Sequence, residues 1–122
     1  MPRSCAGGAR RRELDRQARE WADLARRFAA VVVAGDCNQS TTSANGCGTT
    51  ALRARHDEAL RDAGLARLTG SLVVDDRPVI DHVCVSGHLA ARAAVAAAWG
   101  RRNAAGGRMS DHSGVAVDPA AR

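Results

Sequence analysis

The sequence predicts an α/β fold with one mixed sheet flanked by helices, and three observations support this prediction. Apolar residues between positions 14 and 28 recur at steps of three and four, as they do in an amphipathic helix. Three consecutive valines at positions 31–33 follow directly, and such a β-branched run favours a buried strand. Beyond a polar loop, a second helical pattern leads into further Val-rich segments. Helices alternating with strands in this way are typical of an α/β chain.

The predicted elements follow one another along the whole chain. Thr50 caps the second helix and Gly64 ends it. The alanine-rich segment 90–99 favours a helix by propensity, although a strand near 95–99 is the alternative. The remaining predictions are a first helix at 14–28, a strand at 29–34, a loop at 38–50, a second helix at 51–62, strands at 65–69, 79–85 and 115–117, extended residues at 72–74, and turns at 75–78 and 103–107.

Length and composition restrict the class of protein. A chain of 122 residues fits one domain with a single core. No apolar run approaches the roughly 18 residues of a membrane span, so none is expected. The first residues lack the apolar stretch of a signal peptide, and we therefore expect a cytoplasmic protein. The 4 cysteines include no C-x-x-C pair, which is unlike the spacing of zinc sites.

The basic residues give the chain a net charge of +5, and all 18 of them are arginine. An arginine-biased coding composition is one explanation for the absence of lysine. The functional explanation is an attraction for phosphate groups, because the planar guanidinium fork matches phosphate oxygens. Both explanations stay open at this point.

The first chemical motif is Gly35-Asp36-Cys37-Asn38, at the end of the first Val-rich run. Side chains alternate along a strand, so Asp36 and Asn38 point the same way while Cys37 points back into the core. A turn in which Asn38 caps the following loop is the alternative explanation.

Two further motifs follow, Ile80-Asp81-His82-Val83 and Ser110-Asp111-His112. Within the second motif, alternation directs Asp81 and His82 to opposite faces, so we expect His82 to be packed or hydrogen-bonded away from the site. Taken alone, Asp81 could be a strand-end cap, and a Ser-Asp-His tripeptide is more often a turn or a helix cap. His56 and His88 are expected at the surface.

In this order, the three motifs resemble the C-terminal half of the endonuclease/exonuclease/phosphatase family, the DNase I-like metal-dependent phosphoesterases. The resemblance covers residues 14–118. It leaves residues 1–13 as a disordered Arg- and Gly-rich segment and residues 119–122 as a tail. It implies half of a DNase I-like α/β sandwich, and it favours the strand rather than the helix near 95–99.

The resemblance also implies a role for each polar residue. Asp36 orients or deprotonates the attacking water, and Asn38 holds that water or a phosphate oxygen. His112 donates a hydrogen bond to the scissile phosphate, and Asp81 keeps its imidazole charged. Asp111 approaches a metal ion, Mg²⁺ or Mn²⁺. The implied substrate is a phosphate ester, with nucleic acid among the candidates.

The N-terminal half of that family supplies an Asn, a metal-binding Glu and a further His that have no match here. We therefore expect a phosphoesterase that is incomplete as it stands, either truncated or assembled with another chain. The alternative is a non-catalytic remnant that binds phosphate-bearing ligands or a partner chain. The missing half would also leave the inner sheet face uncovered, from which we expect self-association.

Overall fold

The computed structural model describes residues 8–36 and 50–121. Within these ranges, no helix is both long and apolar enough to cross a membrane. The same ranges contain the following elements: α1 (Gly8–Arg27), β1 (Val32–Asp36), α2 (Thr50–Asp62), β2 (Leu65–Arg67), β3 (Val73–Val74), β4 (Arg77–Pro78), β5 (Asp81–Ser86), α3 (Gly87–Ala90), β6 (Ala94–Trp99) and β7 (Gly114–Asp118).

Helix α1 begins earlier than the sequence predicts. Residues 8–13, which were expected to be disordered, form its first turns. Arg16 pairs with Glu13 across one turn of the exposed face, and pairs at this spacing stabilise a helix by about 0.2–0.5 kcal/mol each. The opposite face buries Leu14 and Trp21. The helical pattern therefore extends through the arginine-rich segment rather than starting after it.

The strands pair differently from the single mixed sheet that the sequence predicts. The described residues form three small sheets, with strand orders β1-β5-β2, β3-β4 and β6-β7. Every pairing among them is antiparallel, so the prediction of one mixed sheet is wrong. A two-residue turn joins β3 to β4, and a hairpin connection of this kind imposes antiparallel pairing. The mixture of helices and strands agrees with an α/β class, whereas the DNase I-like sandwich stays a prediction.

The core lies between α1, α2 and the three-stranded sheet. Fully burying a large aliphatic or aromatic side chain contributes about 1.5–3 kcal/mol. The buried cluster consists of Leu14, Trp21, Val31, Leu52, Ala59, Leu60, Ala63, Leu65 and Cys84.

One core-facing residue contradicts the sequence-based expectation. His56 was expected at the surface, but it is only 2% exposed. Its ring lies edge-on to Trp21 at a centroid distance of 5.7 Å, because the inner face of α2 packs on α1 at this point. His88, in contrast, is exposed as expected.

Strand β1 is much less buried than a central strand. Val33 is half-buried and Val31, just before the strand, is buried, but Val32 and nearby Phe28 are more than half exposed. The prediction of a buried strand at 29–34 is therefore wrong for most of its length. Self-association through this surface stays a prediction.

The β6–β7 hairpin confirms the strand near 95–99 over the helical alternative. Trp99 lies directly over Gly114 of the paired strand, so closely that a Cβ at this glycine would overlap the indole ring. The predicted turn at 103–107 is also present. There the Asn103 side chain accepts hydrogen bonds from the N–H groups of Ala105 and Gly107 at 3.0 and 2.8 Å.

Candidate functional site

Two carboxylates meet at one edge of the three-stranded sheet. Asp36 is the last residue of β1 and Asp81 is the first residue of β5. Because the strands are antiparallel, this end of one lies beside the start of the other, and the two residues are direct cross-strand partners. Like charges placed opposite one another destabilise a sheet. This edge therefore favours a cation.

The segment before β7 brings an imidazole to this edge. The carbonyl of Arg101 accepts hydrogen bonds from the N–H groups of Met109 and Ser110, at 2.6 and 3.3 Å. The Ser110 hydroxyl then accepts the His112 N–H at 3.1 Å. These bonds fold the backbone so that His112 reaches Asp81, which belongs to a different sheet.

His112 lies between the two carboxylates. Its Nδ1 is 2.7 Å from Oδ2 of Asp81, and its Nε2 is 3.7 Å from Oδ2 of Asp36. The contact between Asp81 and His112 that the sequence predicts is thus present. We refer to these three residues as the Asp36–Asp81–His112 cluster.

The two carboxylates favour the charged form of the imidazole. The hydrogen bond that His112 donates to Asp81 raises the pKa of the imidazole above its ordinary value, partial desolvation opposes this, and the charges of Asp81, Asp36 and Asp111 add to the rise. Nδ1 carries the proton that is donated to Asp81, which fixes the orientation of the ring. The His112 side chain keeps 39% of its surface exposed, so it can reach a ligand.

The donor set of the cluster also suits a divalent cation. One ligand atom from each of the three residues lies within 4.8 Å of the others. Carboxylate oxygens are the ligands that Mg²⁺ and Mn²⁺ prefer, and Asp36 and Asp81 supply them. The Nδ1 atom of His112 is already bonded to Asp81, so the imidazole is better placed to bind a phosphate oxygen than a metal.

Asp111, the predicted metal ligand, is not one of the three residues whose ligand atoms lie together in the cluster. Asp111 has a side chain that is 80% exposed, and it pairs with Arg108 at 2.7 Å. Its role as a metal ligand stays a prediction. Asn38 and Cys37 lie outside the described residues. The position of Asn38 relative to Asp36 therefore also stays a prediction.

His82 faces away from the site, as the sequence predicts. It is 1% exposed, and its Nδ1 lies 2.9 Å from Oγ1 of Thr69. The same hydroxyl accepts the N–H of Val83 at 3.2 Å. These buried contacts fix the start of β5, and alternation along the strand then directs Asp81 outward.

Sequence reasoning missed the arginines that surround the cluster. An open cavity of about 130 Å³ is lined by Asp81, His112 and Ser113 together with Arg77 and Arg101. Arg77 lies on β4, and Arg101 follows β6 by two residues. The adjacent arginines at 101 and 102 were a visible signal in the sequence, but a general arginine bias accounted for them equally well.

Comparisons with protein-family models, with curated proteins and with solved structures found no match for this chain. The chemistry of the site therefore has to be inferred from its own geometry.

Proposed function

We propose that the chain is a metal-dependent phosphoesterase, and the observation that carries this proposal is the Asp36–Asp81–His112 cluster. Two carboxylates and an imidazole converge on a half-exposed edge, with ligand atoms within 4.8 Å of one another. Hydrolysis of a phosphate ester needs a base near the attacking water and positive charge near the phosphoryl oxygens. The cluster offers both. The order of the three sequence motifs, which resembles the endonuclease/exonuclease/phosphatase family, supports the same reaction.

The hydrolytic step assigns one role to Asp36 and another to the Asp81–His112 pair. The Asp36 carboxylate accepts a proton from water while the water oxygen bonds to phosphorus. The ester P–O bond on the opposite side breaks, and the leaving oxygen takes a proton from solvent. His112, kept cationic by Asp81, donates a hydrogen bond from Nε2 to a phosphoryl oxygen and stabilises the charge that develops there.

A bound Mg²⁺ or Mn²⁺ would supply further positive charge at the phosphoryl group. Asp36 and Asp81 would hold this ion, with Asp111 as the additional carboxylate that the sequence predicts. A site with only two or three carboxylates binds hydrated Mg²⁺ weakly. We therefore expect the metal to bind more firmly together with the phosphate than alone.

A second candidate function is phosphate binding without hydrolysis, and the arginine-lined surface beside the cluster favours it. Arg77 and Arg101 flank the cavity that contains His112. Guanidinium groups bind phosphate bidentately and need no metal to do so. Both candidate functions involve a phosphate-bearing ligand, with nucleic acid among the possibilities. They differ in whether the bound ester is hydrolysed.

The test is hydrolysis of bis-p-nitrophenyl phosphate by the purified chain with Mg²⁺, with Mn²⁺ and with excess EDTA. The phosphoesterase proposal predicts release of nitrophenol that EDTA abolishes and that Asp36→Asn reduces. Asp76→Asn is the matched control, because it removes one carboxylate from the β3–β4 turn outside the cluster. Activity that persists in EDTA would refute the metal dependence, and binding without turnover would support the second candidate.

A further inference from the structure

We propose that an arginine-lined cavity next to the Asp36–Asp81–His112 cluster binds a second phosphate group of the substrate. This inference rests on the proposed function, and it narrows the substrate to esters that carry at least two phosphates. The cavity has a volume of about 560 Å³ and is lined by Asp75, Arg77, Gly100, Arg101, Arg102 and Arg108. Its wall thus presents several guanidinium groups against a single carboxylate.

The two cavities are neighbours because they share two lining residues. Arg77 and Arg101 belong to the cavity that contains His112 and also to the larger one. Neither guanidinium has an ion-pair partner among the residues that the structure describes. A ligand that places one phosphate at His112 can therefore extend past these two arginines into the larger cavity.

The backbone holds the other two arginines side by side. Arg102 and Arg108 are partners in an isolated antiparallel bridge, so their like charges lie opposite one another at a cost to stability. Arg102 donates to the Gly106 carbonyl at 2.9 Å, and Arg108 is partly neutralised by Asp111 at 2.7 Å. A phosphate bound in the cavity that both residues line would relieve the remaining repulsion.

The Asp75 carboxylate limits which anions fit. It packs so closely against Gly100 that a Cβ at this position would overlap it. The negative charge of Asp75 repels phosphate, so a bound phosphate would contact the arginines of the wall instead. The ligand chemistry is a second phosphate at a fixed distance from the scissile one, as in a nucleotide with a neighbouring phosphate or in a phosphorylated ring polyol.

Equilibrium binding without metal tests this inference separately from catalysis. Calorimetry in EDTA compares thymidine phosphorylated on both hydroxyls with thymidine phosphorylated on its primary hydroxyl alone. Because charge-assisted contacts strengthen binding, the bisphosphate should bind at least about tenfold more tightly than the monophosphate. Inositol bisphosphate and inositol monophosphate form the second pair of ligands. A preference for the bisphosphate in either pair supports the inference and shows whether the ligand is a nucleotide or a phosphorylated ring polyol. If neither pair shows this preference, the inference is overturned.

Variants locate the binding to this cavity. Arg102→Gln should lower the affinity for the preferred bisphosphate on the order of fivefold, because it removes one of the contacts. Arg108→Gln should act in the same direction. Arg92→Gln removes the same charge from an exposed position outside the cavity and should leave the preference intact. An equal loss in Arg92→Gln would show nonspecific charge attraction and overturn the inference.

The p-nitrophenyl esters of the same two thymidine compounds distinguish the two proposals. Hydrolysis of both esters with equal kcat/KM overturns the second-phosphate site and leaves the phosphoesterase proposal standing. Hydrolysis of neither ester, with the calorimetric preference retained, refutes the phosphoesterase proposal and leaves a two-phosphate binding site.

Discussion

The carboxylate of Asp81 lies 2.7 Å from Nδ1 of His112, and this ion pair joins the β6–β7 hairpin to the three-stranded sheet. Asp36 stands opposite Asp81 in register, so protonation of the imidazole also offsets the repulsion between the two carboxylates. A single contact thus orients the imidazole, raises its pKa and links the two parts of the candidate site. The predictions below begin with it.

Replacing Asp81 by Asn should lower the pKa of His112. The hydrogen bond that the ring donates to Asp81 is the largest cause of the raised pKa. Loss of this bond disfavours the charged ring, so the proton leaves at lower pH. NMR titration of the imidazole measures the pKa directly. In activity assays, the alkaline limb of the pH–rate profile should move to lower pH by the same amount.

Asp76→Asn is the control for this titration, because it removes a carboxylate from the nearby β3–β4 turn without touching the imidazole. It should leave the pKa of His112 almost unchanged. If Asp81 is instead only a strand-end cap, Asp81→Asn would lower the melting temperature and leave the titration of His112 where it was. That pattern would refute the functional pairing.

Paramagnetic Mn²⁺ should locate the metal. Bound between Asp36 and Asp81, it would broaden the ring resonances of His112 at concentrations that leave those of His88 sharp. Asp36→Asn should raise the concentration needed severalfold, since it removes a carboxylate ligand. Equal broadening of both histidines would place Mn²⁺ nonspecifically on the surface and contradict the metal site.

Acid should destabilise the fold through His56. Burial lowers the pKa of this histidine to about 4 from 6.5, and the charge of Arg67 adds to the effect. The unfolded chain therefore binds the proton more tightly, and stability falls as the pH drops from about 6.5 towards 4. Since each pKa unit corresponds to about 1.36 kcal/mol, the free energy of unfolding falls by on the order of 3 kcal/mol at the acidic end of this range.

Chemical denaturation of the wild type and of His56→Gln, from neutral pH into the acid range, measures how much His56 contributes to the loss of stability. The variant should be less stable at neutral pH because it disturbs the core, but its stability should depend less on pH. His88→Gln, at an exposed position, should keep the wild-type dependence. An unchanged pH dependence in His56→Gln would show that other groups cause the acid destabilisation.

Local patterns predicted the helices and several strands well. The three- and four-residue spacing predicted α1 from residue 14 onward, and the cap at Thr50 and the closing Gly64 predicted α2. The motif order placed Asp81 beside His112. The same spacing could have predicted the burial of His56, because Leu52, His56, Ala59 and Leu60 form one stripe along α2, all of it buried. A histidine at the centre of an apolar stripe is better read as part of the core than as a surface residue.

Strand pairing and the arginine-lined cavities depend on contacts that local sequence does not encode. The valines of β1 predicted a buried strand, but burial depends on what covers the strand, and Val32 is 56% exposed. Arg77 and Arg101 lie far apart in sequence. They share a cavity only because β4 and the end of β6 meet beside His112.

The most direct test of the proposed phosphoesterase is the rate of phosphodiester hydrolysis by His112→Ala with saturating Mg²⁺, measured beside His88→Ala. A group that stabilises developing charge on a phosphoryl oxygen contributes roughly a hundredfold or more to kcat. We expect His112→Ala to lose at least that much and His88→Ala to retain the wild-type rate. Equal rates in the two variants would contradict the central role of the Asp36–Asp81–His112 cluster.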